Sequence, residues 1–149
     1  MKEIRIVVPG KPMGKQRPKF TTRGKCVKAI TPQKTVSYEN LVKVVYQENY
    51  GKMMFEQDEP LEMIVNTYFM PPANTSQKRL GLMYANEIRP TKKPDFDNIA
   101  KIVGDALNAV AYPDDKQIVD ASIHKFYNSE PKTEIIIRSI FDKEEQNNG

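Results

Sequence analysis

The feature that most constrains the fold is a strongly amphipathic segment that follows residue 97. Its apolar residues recur at the α-helical spacing i, i+3, i+4, i+7 and i+8: Ile99, Ile102, Val103, Ala106, Leu107 and Val110. A helix of this kind buries one face against a core. Asp97 precedes the apolar stripe, and we expect it to cap the helix. The chain must therefore supply a sheet or another helix on which this face packs.

Four shorter patterns predict strands. They combine alternating apolar residues with β-branched and aromatic side chains, and they lie at residues 3–8, 61–69, 117–127 and 132–140. Thr31 and Pro32 predict the cap and first residue of a helix that runs to about Tyr50 and is closed by Gly51. We also expect a small hairpin around Arg23 and Gly24, and a short helix near residues 77–86. The order β-α-β-α-β-β indicates a mixed α/β (α+β) fold, with a single mixed sheet and helices packed on it.

The size of the chain bounds its organisation. With 149 residues, it suits one domain over residues 1–149, and we expect the polar residues 142–149 to form a frayed tail. Its apolar runs are too short to predict a membrane span, and residues 1–10 lack the pattern of a signal peptide. Cys26 has no second cysteine with which to pair. These features predict a cytoplasmic protein that does not bind membranes.

Two regions are rich in lysine and arginine, although the formal net charge is only +4. Residues 11–34 contain eight Lys or Arg residues and no acidic residue. A second basic cluster follows later: Lys78, Arg79, Arg89, Lys92 and Lys93. Basic clusters attract polyanions and release their counterions, so these regions predict contact with nucleic acid. Either cluster alone would also fit a solvated face or a flexible arm.

Aspartates nevertheless gather within residues 93–117: Asp95, Asp97, Asp105, Asp114 and Asp115. Asp97 and Asp105 fall on one predicted helix face with Lys101, whereas Asp114 and Asp115 stand at the entry to the next strand. Clustered carboxylates raise one another's pKa, and a hard divalent cation such as Mg²⁺ relieves that conflict. The spacing therefore favours a metal site that acts on a phosphodiester. Helix capping and turn formation are the alternative explanation.

The combined motifs resemble a known family. D-F-D-N at 95–98, Lys101, D-A-L-N at 105–108 and D-D-K-Q at 114–117 resemble the signature of the RusA-type Holliday junction resolvases, the crossover junction endodeoxyribonucleases. The segment GKPMGKQRPKF is similar to that family's basic segment after its first strand. Residues 70–92 match least.

The resemblance implies a homodimeric endonuclease that depends on Mg²⁺, with Mn²⁺ as a substitute ion, and needs no small-molecule cofactor. Its implied substrate is the four-way DNA junction of recombination and repair. Genes of this kind often travel in phages and prophages. Asp95, Asp97 and Asp115 match the catalytic, metal-binding carboxylates, and Lys101 matches the essential lysine. Whether Asp114 or Asp115 lies nearer the metal depends on strand register, and the D-D-x-Q position favours Asp115.

We assign the predicted grip on DNA phosphates to six basic residues: Lys11, Lys15, Arg17, Lys19, Lys92 and Lys93. Two other classes of protein compete with the nuclease. A non-catalytic DNA-binding module would use the aspartates only as caps and turns. A metal-dependent phosphatase acting on small molecules would have no need of two basic clusters.

Overall fold

Four strands form a mixed sheet in which the last strand of the described residues lies in the interior. The computed structural model describes residues 3–24 and 26–140. The strands of the sheet are β1 (Glu3–Pro9), β4 (Leu61–Phe69), β5 (Ile118–Tyr127) and β6 (Lys132–Ser139), in the spatial order β1-β6-β4-β5. β6 pairs antiparallel with both β1 and β4, whereas β4 and β5 are parallel. The predicted fold class is confirmed.

Alternation of burial sets the two faces of the sheet. Along β1 the inward residues Ile4, Ile6 and Val8 are at most 2% exposed, while their neighbours face solvent. Ile4 lies opposite Ile137, and Val65 lies opposite Ile135, so the apolar residues of three strands share one face. A shift of register by one residue would turn these side chains to the solvent.

Two helices cover the apolar face. They are α1 (Gln33–Tyr50) and α3 (Phe96–Leu107), and each contributes fully buried side chains to the core, such as Val42 and Ile102. Gly51 ends α1 at a φ of 61°, and its N–H donates to the carbonyl of Gln47, as predicted. The predicted Thr31 cap is wrong, because α1 begins one residue later, with Pro32 in the capping position and no side-chain cap.

The remaining elements lie outside the four-stranded sheet. β2 (Lys19–Arg23) and β3 (Cys26–Ile30) form the predicted hairpin in the basic region. The short helix α2 (Gln77–Tyr84) is also confirmed, and Ser76 caps it by accepting from the N–H of Arg79. The predicted tail at residues 142–149 lies outside the described residues.

The connection from β4 to β5 positions the candidate site. Parallel neighbours require a crossover, and here it runs through α2 and α3. α3 packs against α1, and the chain then turns back to enter β5 beside Leu61, at the start of β4. The residues before and after α3 are thereby fixed against the same core. In the part of the chain that the structure describes, no helix has the length and apolar character required to cross a membrane.

Candidate active site

The basic segment after β1 is fastened to the start of α3. The backbone N–H of Lys15 donates to the carbonyl of Asn98 at 2.8 Å. A Cβ on Gly14 would lie only 2.6 Å from Cβ of Pro94 and 3.1 Å from Cβ of Asn98. Only glycine permits this approach without movement of the neighbouring chain. The basic segment and the corner before α3 therefore form one packed unit.

A cavity of about 510 Å³ opens between these two segments. Lys11, Lys15 and Arg17 line it from the basic segment, and Lys93 and Asp95 line it from the corner before α3. Residues from both predicted basic clusters thus meet around one space that also contains a carboxylate. A cationic wall of this kind attracts phosphate groups.

Asp95, rather than Asp97, occupies the N-cap position of α3. The prediction that Asp97 caps the helix is wrong by two residues, since α3 begins at Phe96 and Asp97 lies in its first turn. Capping aspartates normally accept a hydrogen bond from the first turn, but the side chain of Asp95 makes none. Its carboxylate faces the cavity without being used by the helix.

The second group of carboxylates lies beyond the other end of α3, in a 3₁₀ turn over Asp115–Gln117. Asp114 caps this turn by accepting from the N–H of Lys116 at 3.0 Å, and Gln117 Oε1 accepts from the N–H of Asp114 at 3.2 Å. The amide of Gln117 also donates to the carbonyls of Glu56 and Glu59. The D-D-x-Q motif therefore builds a rigid turn in which Asp114 has the structural role.

Asp115 is free of that capping role. Its backbone N–H donates to Oδ1 of Asn108 at 3.0 Å, which fixes the residue against the end of α3. Burial, followed by the neighbouring carboxylates of Asp114 and Asp105, raises the pKa of Asp115 above its usual value. By contrast, the backbone N–H of Lys116 lowers the pKa of Asp114. The two adjacent aspartates therefore differ: Asp114 caps the turn, whereas the ionised form of Asp115 is disfavoured by burial and by the neighbouring carboxylates.

Lys15 connects the cavity to these carboxylates. Its Nζ forms ion pairs with Oε1 of Glu39 on α1 and, at 3.2 Å, with Oδ2 of Asp105 on α3. The Lys15 side chain is only 20% exposed. Burial by itself would lower the pKa of Lys15, but Glu39 and Asp105 outweigh it and raise that pKa. Two of the three N–H donors of Lys15 are thus directed at carboxylates, which leaves one for a phosphate.

Tyr112 is hydrogen-bonded to the last turns of α3, near the same carboxylates. It is fully buried, and its hydroxyl donates to the carbonyl of Gly104 at 2.8 Å. Burial, and then the charges of Asp115 and Asp105, raise the pKa of Tyr112. Tyr112 stays protonated at neutral pH and acts as a fixed hydrogen-bond donor.

The other predicted site residues are placed as follows. Lys101, Asp97 and Lys92 are exposed. Within residues 3–24 and 26–140, no ion pair is formed by Lys101. The side chain of Lys19 lies outside what the structure describes. The roles assigned to these residues stay predictions.

The sequence pattern left Asp105 and Glu39 out of the predicted site. The sequence could have indicated Asp105, because Asp105 shares the i, i+4 helix face with Lys101. It could not have indicated Glu39, since nothing in the sequence relates α1 to the basic segment. Both acids form ion pairs with Lys15, so both lie at the candidate site.

The acidic side chains suit a hard divalent cation in their chemistry. The cluster is not arranged as a complete ligand set, however. Within the two described stretches of chain, no three His, Cys, Asp or Glu side chains are positioned to hold a metal ion. The mutual repulsion at Asp115 is the feature that a bound cation would relieve.

A cationic cavity lined by Asp95, with further carboxylates at the other end of α3, suits a protein that acts on the phosphodiesters of nucleic acid. The family model for the endodeoxyribonuclease RusA matches residues 9–138. A protein of Bacillus subtilis (strain 168), described as the uncharacterized protein YqaN, is 34% identical over 139 residues, covering 92% of this chain and 96% of that protein. The chain belongs to the RusA endodeoxyribonuclease family, whose activity is the resolution of Holliday junctions in branched DNA.

Proposed function

We propose that this protein is a Mg²⁺-dependent, structure-selective endonuclease that nicks four-way DNA junctions as a homodimer. The observation that carries the proposal is that Lys15, which lines the cationic cavity, forms an ion pair with Asp105, whose charge in turn contributes to raising the pKa of Asp115. A small-molecule phosphatase would not need a cavity edged by Lys11, Arg17 and Lys93. A DNA substrate also fits the expected cytoplasmic location.

In this proposal the basic residues of the cavity would bind the DNA backbone, and Asp95, Asp97 and Asp115 would hold the ion together with oxygen atoms of water and phosphate. When bound, Mg²⁺ supplies a water of lowered pKa and neutralises charge on the scissile phosphate. Asp95 is suited to this role because its carboxylate is not used in capping. Asp115 is suited because burial and the carboxylates of Asp114 and Asp105 oppose its ionisation, which a bound cation would favour. Lys101, exposed on α3, would stabilise the charged phosphate.

The test is incubation of the purified protein with a synthetic four-way junction, with and without Mg²⁺, followed by mapping of nicks on each strand. Asp95→Asn, Asp97→Asn and Asp115→Asn should each reduce cleavage by orders of magnitude. Junction binding in EDTA should persist or tighten, because a negative charge facing the DNA backbone is removed. The matched control is Glu48→Gln, which removes an exposed carboxylate on α1 and should leave cleavage unchanged.

The Asp95→Asn substitution should leave the start of α3 undisturbed. Asparagine is as good an N-cap as aspartate, and the Asp95 side chain makes no capping bond that could be lost. A loss of cleavage therefore cannot be attributed to fraying of α3. Wild-type cleavage rates in all three variants would show that the carboxylates are structural, and the metal-dependent mechanism would be wrong.

The proposed dimer follows from the reaction. Productive resolution needs two symmetrically related nicks, and a closed two-fold dimer supplies two matched sites. Sedimentation equilibrium at micromolar concentration should give twice the mass of the chain. A monomer that retains full resolving activity would exclude this assembly.

A further inference from the structure

A second cleft lies apart from the candidate active site, where β4 and β5 end beside α2. Its volume is about 310 Å³, and four of its lining residues are aromatic: Tyr68, Tyr84, Phe126 and Tyr127. The amides of Asn86 and Asn128 also line it. None of the lining residues within the described part of the chain is acidic. We call this space the aromatic cleft.

Of the aromatic rings in this cleft, Tyr84 is the one most open to a ligand. Tyr68 and Phe126 are register neighbours on the sheet face opposite the core, and their rings stack with centroids 5.4 Å apart and an interplanar angle of 27°. Both are only partly buried. Tyr84, at the end of α2, is 48% exposed. Packing in the core accounts for the buried Phe69 but not for these three rings.

Positive charge accompanies the rings. The guanidinium of Arg89 lies 4.4 Å from the centroid of Phe126, and its Nε–H donates to the carbonyl of Lys125 at 2.9 Å, which holds it there. Nζ of Lys132 lies 5.2 Å from the centroid of Tyr68. Exposed rings beside fixed cations are the arrangement by which proteins bind the bases and backbone of unpaired nucleic acid.

We infer that the aromatic cleft binds an unpaired nucleobase of the branched DNA substrate. The base would stack on Tyr84, the two asparagine amides would offer a donor and an acceptor to its edge, and Arg89 and Lys132 would face the adjoining phosphates. The volume is at the lower end for a ligand site, of roughly 300 to 1,000 Å³, which suits one base and not a duplex. This inference rests on the proposed function, because it assigns a second contact to the same substrate.

The test uses 2-aminopurine, whose fluorescence is quenched or altered when its stacking partners change. It would be placed singly at positions near the crossover of a four-way junction and, separately, in a single-stranded oligonucleotide. Protein is added in EDTA so that no strand is cut. At one or more positions the wild-type protein should change the fluorescence, and Tyr84→Ala should abolish that change and weaken single-strand binding by roughly 5- to 100-fold. Tyr84→Phe, which keeps the ring, should behave like the wild-type protein.

The matched control is Val44→Ala on the outer face of α1, where the original side chain is also 48% exposed. It should leave fluorescence and binding unchanged. A Tyr84→Ala protein that binds both DNAs like the wild type overturns the inference and leaves the proposed nuclease untouched. So does a sedimentation change from dimer to monomer on Tyr84→Ala, which would show that a second copy of the chain occupies the cleft. If the wild-type protein does not bind junctions but Tyr84→Ala still weakens single-strand binding, the proposed function is wrong, and the assignment of the aromatic cleft to an unpaired base is retained.

Discussion

Replacement of Lys15 by methionine tests how the candidate site is held together. The substitution keeps the length and apolar stem of the side chain but removes the only cation that the described structure pairs with Glu39 and Asp105. These carboxylate side chains are 17% and 34% exposed, so water compensates each of them only in part. We expect a loss of stability that is shared between the two acids.

The expected loss of stability can be derived from the geometry of the ion pair. At the 3.2 Å between Nζ of Lys15 and Oδ2 of Asp105, two unit charges attract by about 5 kcal/mol gross at an effective dielectric constant near 20. Desolvation and partial exposure offset most of that attraction, and hydrogen bonds to charged groups contribute about 1.5–3 kcal/mol net. We therefore expect Lys15→Met to lower the free energy of unfolding by about 2–3 kcal/mol, and the melting temperature by roughly 4–12 °C.

A double-mutant cycle measured by urea denaturation isolates the contact. It compares Lys15→Met, Asp105→Asn and the double variant. Once Asp105 is neutral, the loss of Lys15 should cost about 1 kcal/mol less than it does in the wild-type protein. The matched control is Lys11→Met, because Lys11 lies in the same segment and lines the same cavity but has no ion pair in the described structure.

The control variant should lie within about 0.5 kcal/mol of the wild type. Strictly additive effects of Lys15→Met and Asp105→Asn, or equal losses for Lys11→Met and Lys15→Met, would refute the reasoning. Either result would mean that Lys15 is a solvated cation, free to bind phosphate as the sequence alone predicted.

Three further predictions concern single residues. Because the folded state raises the pKa of Asp115, its ionised form opposes folding above that pKa, and the cost vanishes below the unfolded value of 3.8. In calorimetry, Asp115→Asn should therefore melt at a higher temperature than the wild type at pH 7 and lose this advantage on acidification. A variant that is less stable than the wild type at pH 7 would contradict the argument. Gly14→Ala places a Cβ 2.6 Å from that of Pro94 and should cost about 1–3 kcal/mol in urea denaturation, whereas Gly81→Ala, with no atom within 4 Å, should cost nothing. Tyr112→Phe removes the buried hydrogen bond to the carbonyl of Gly104 and should cost about 1 kcal/mol by the same measurement, so an unchanged unfolding midpoint would show that this bond contributes nothing.

Local patterns were enough to predict most of the fold. The stripe that includes Ile102 and Leu107 predicted α3 because burial on a helix repeats with the helical period, and β4 was predicted at its observed bounds for the corresponding reason. The cap of α3 was misplaced because Asp95 and Asp97 both precede apolar residues. Composition does not distinguish between two such candidates; the backbone angles of Asp95 do.

The candidate site was predictable only where its residues are close in sequence. Lys93 and Asp95 are neighbours in the chain, and the structure places both at one cavity. The pairing of Lys15 with Glu39 and Asp105 depends instead on how α1 and α3 pack, which residue spacing does not encode. For the same reason the sequence identified Lys15 as a cation but not the carboxylates that hold it.

The interior position of β6 has a consequence for synthesis of the protein. β6 leaves the ribosome after β1 and β4, yet it separates these two strands in the sheet and pairs with both. Until it has emerged, the inward side chains of β1 and β4 lack the strand that joins them into one face, and α1 and α3 lack a continuous surface on which to pack. Nascent chains that end before Lys132 should therefore be degraded by proteases and have no nuclease activity. The nuclease therefore cannot fold, or act on DNA, before β6 has been synthesised.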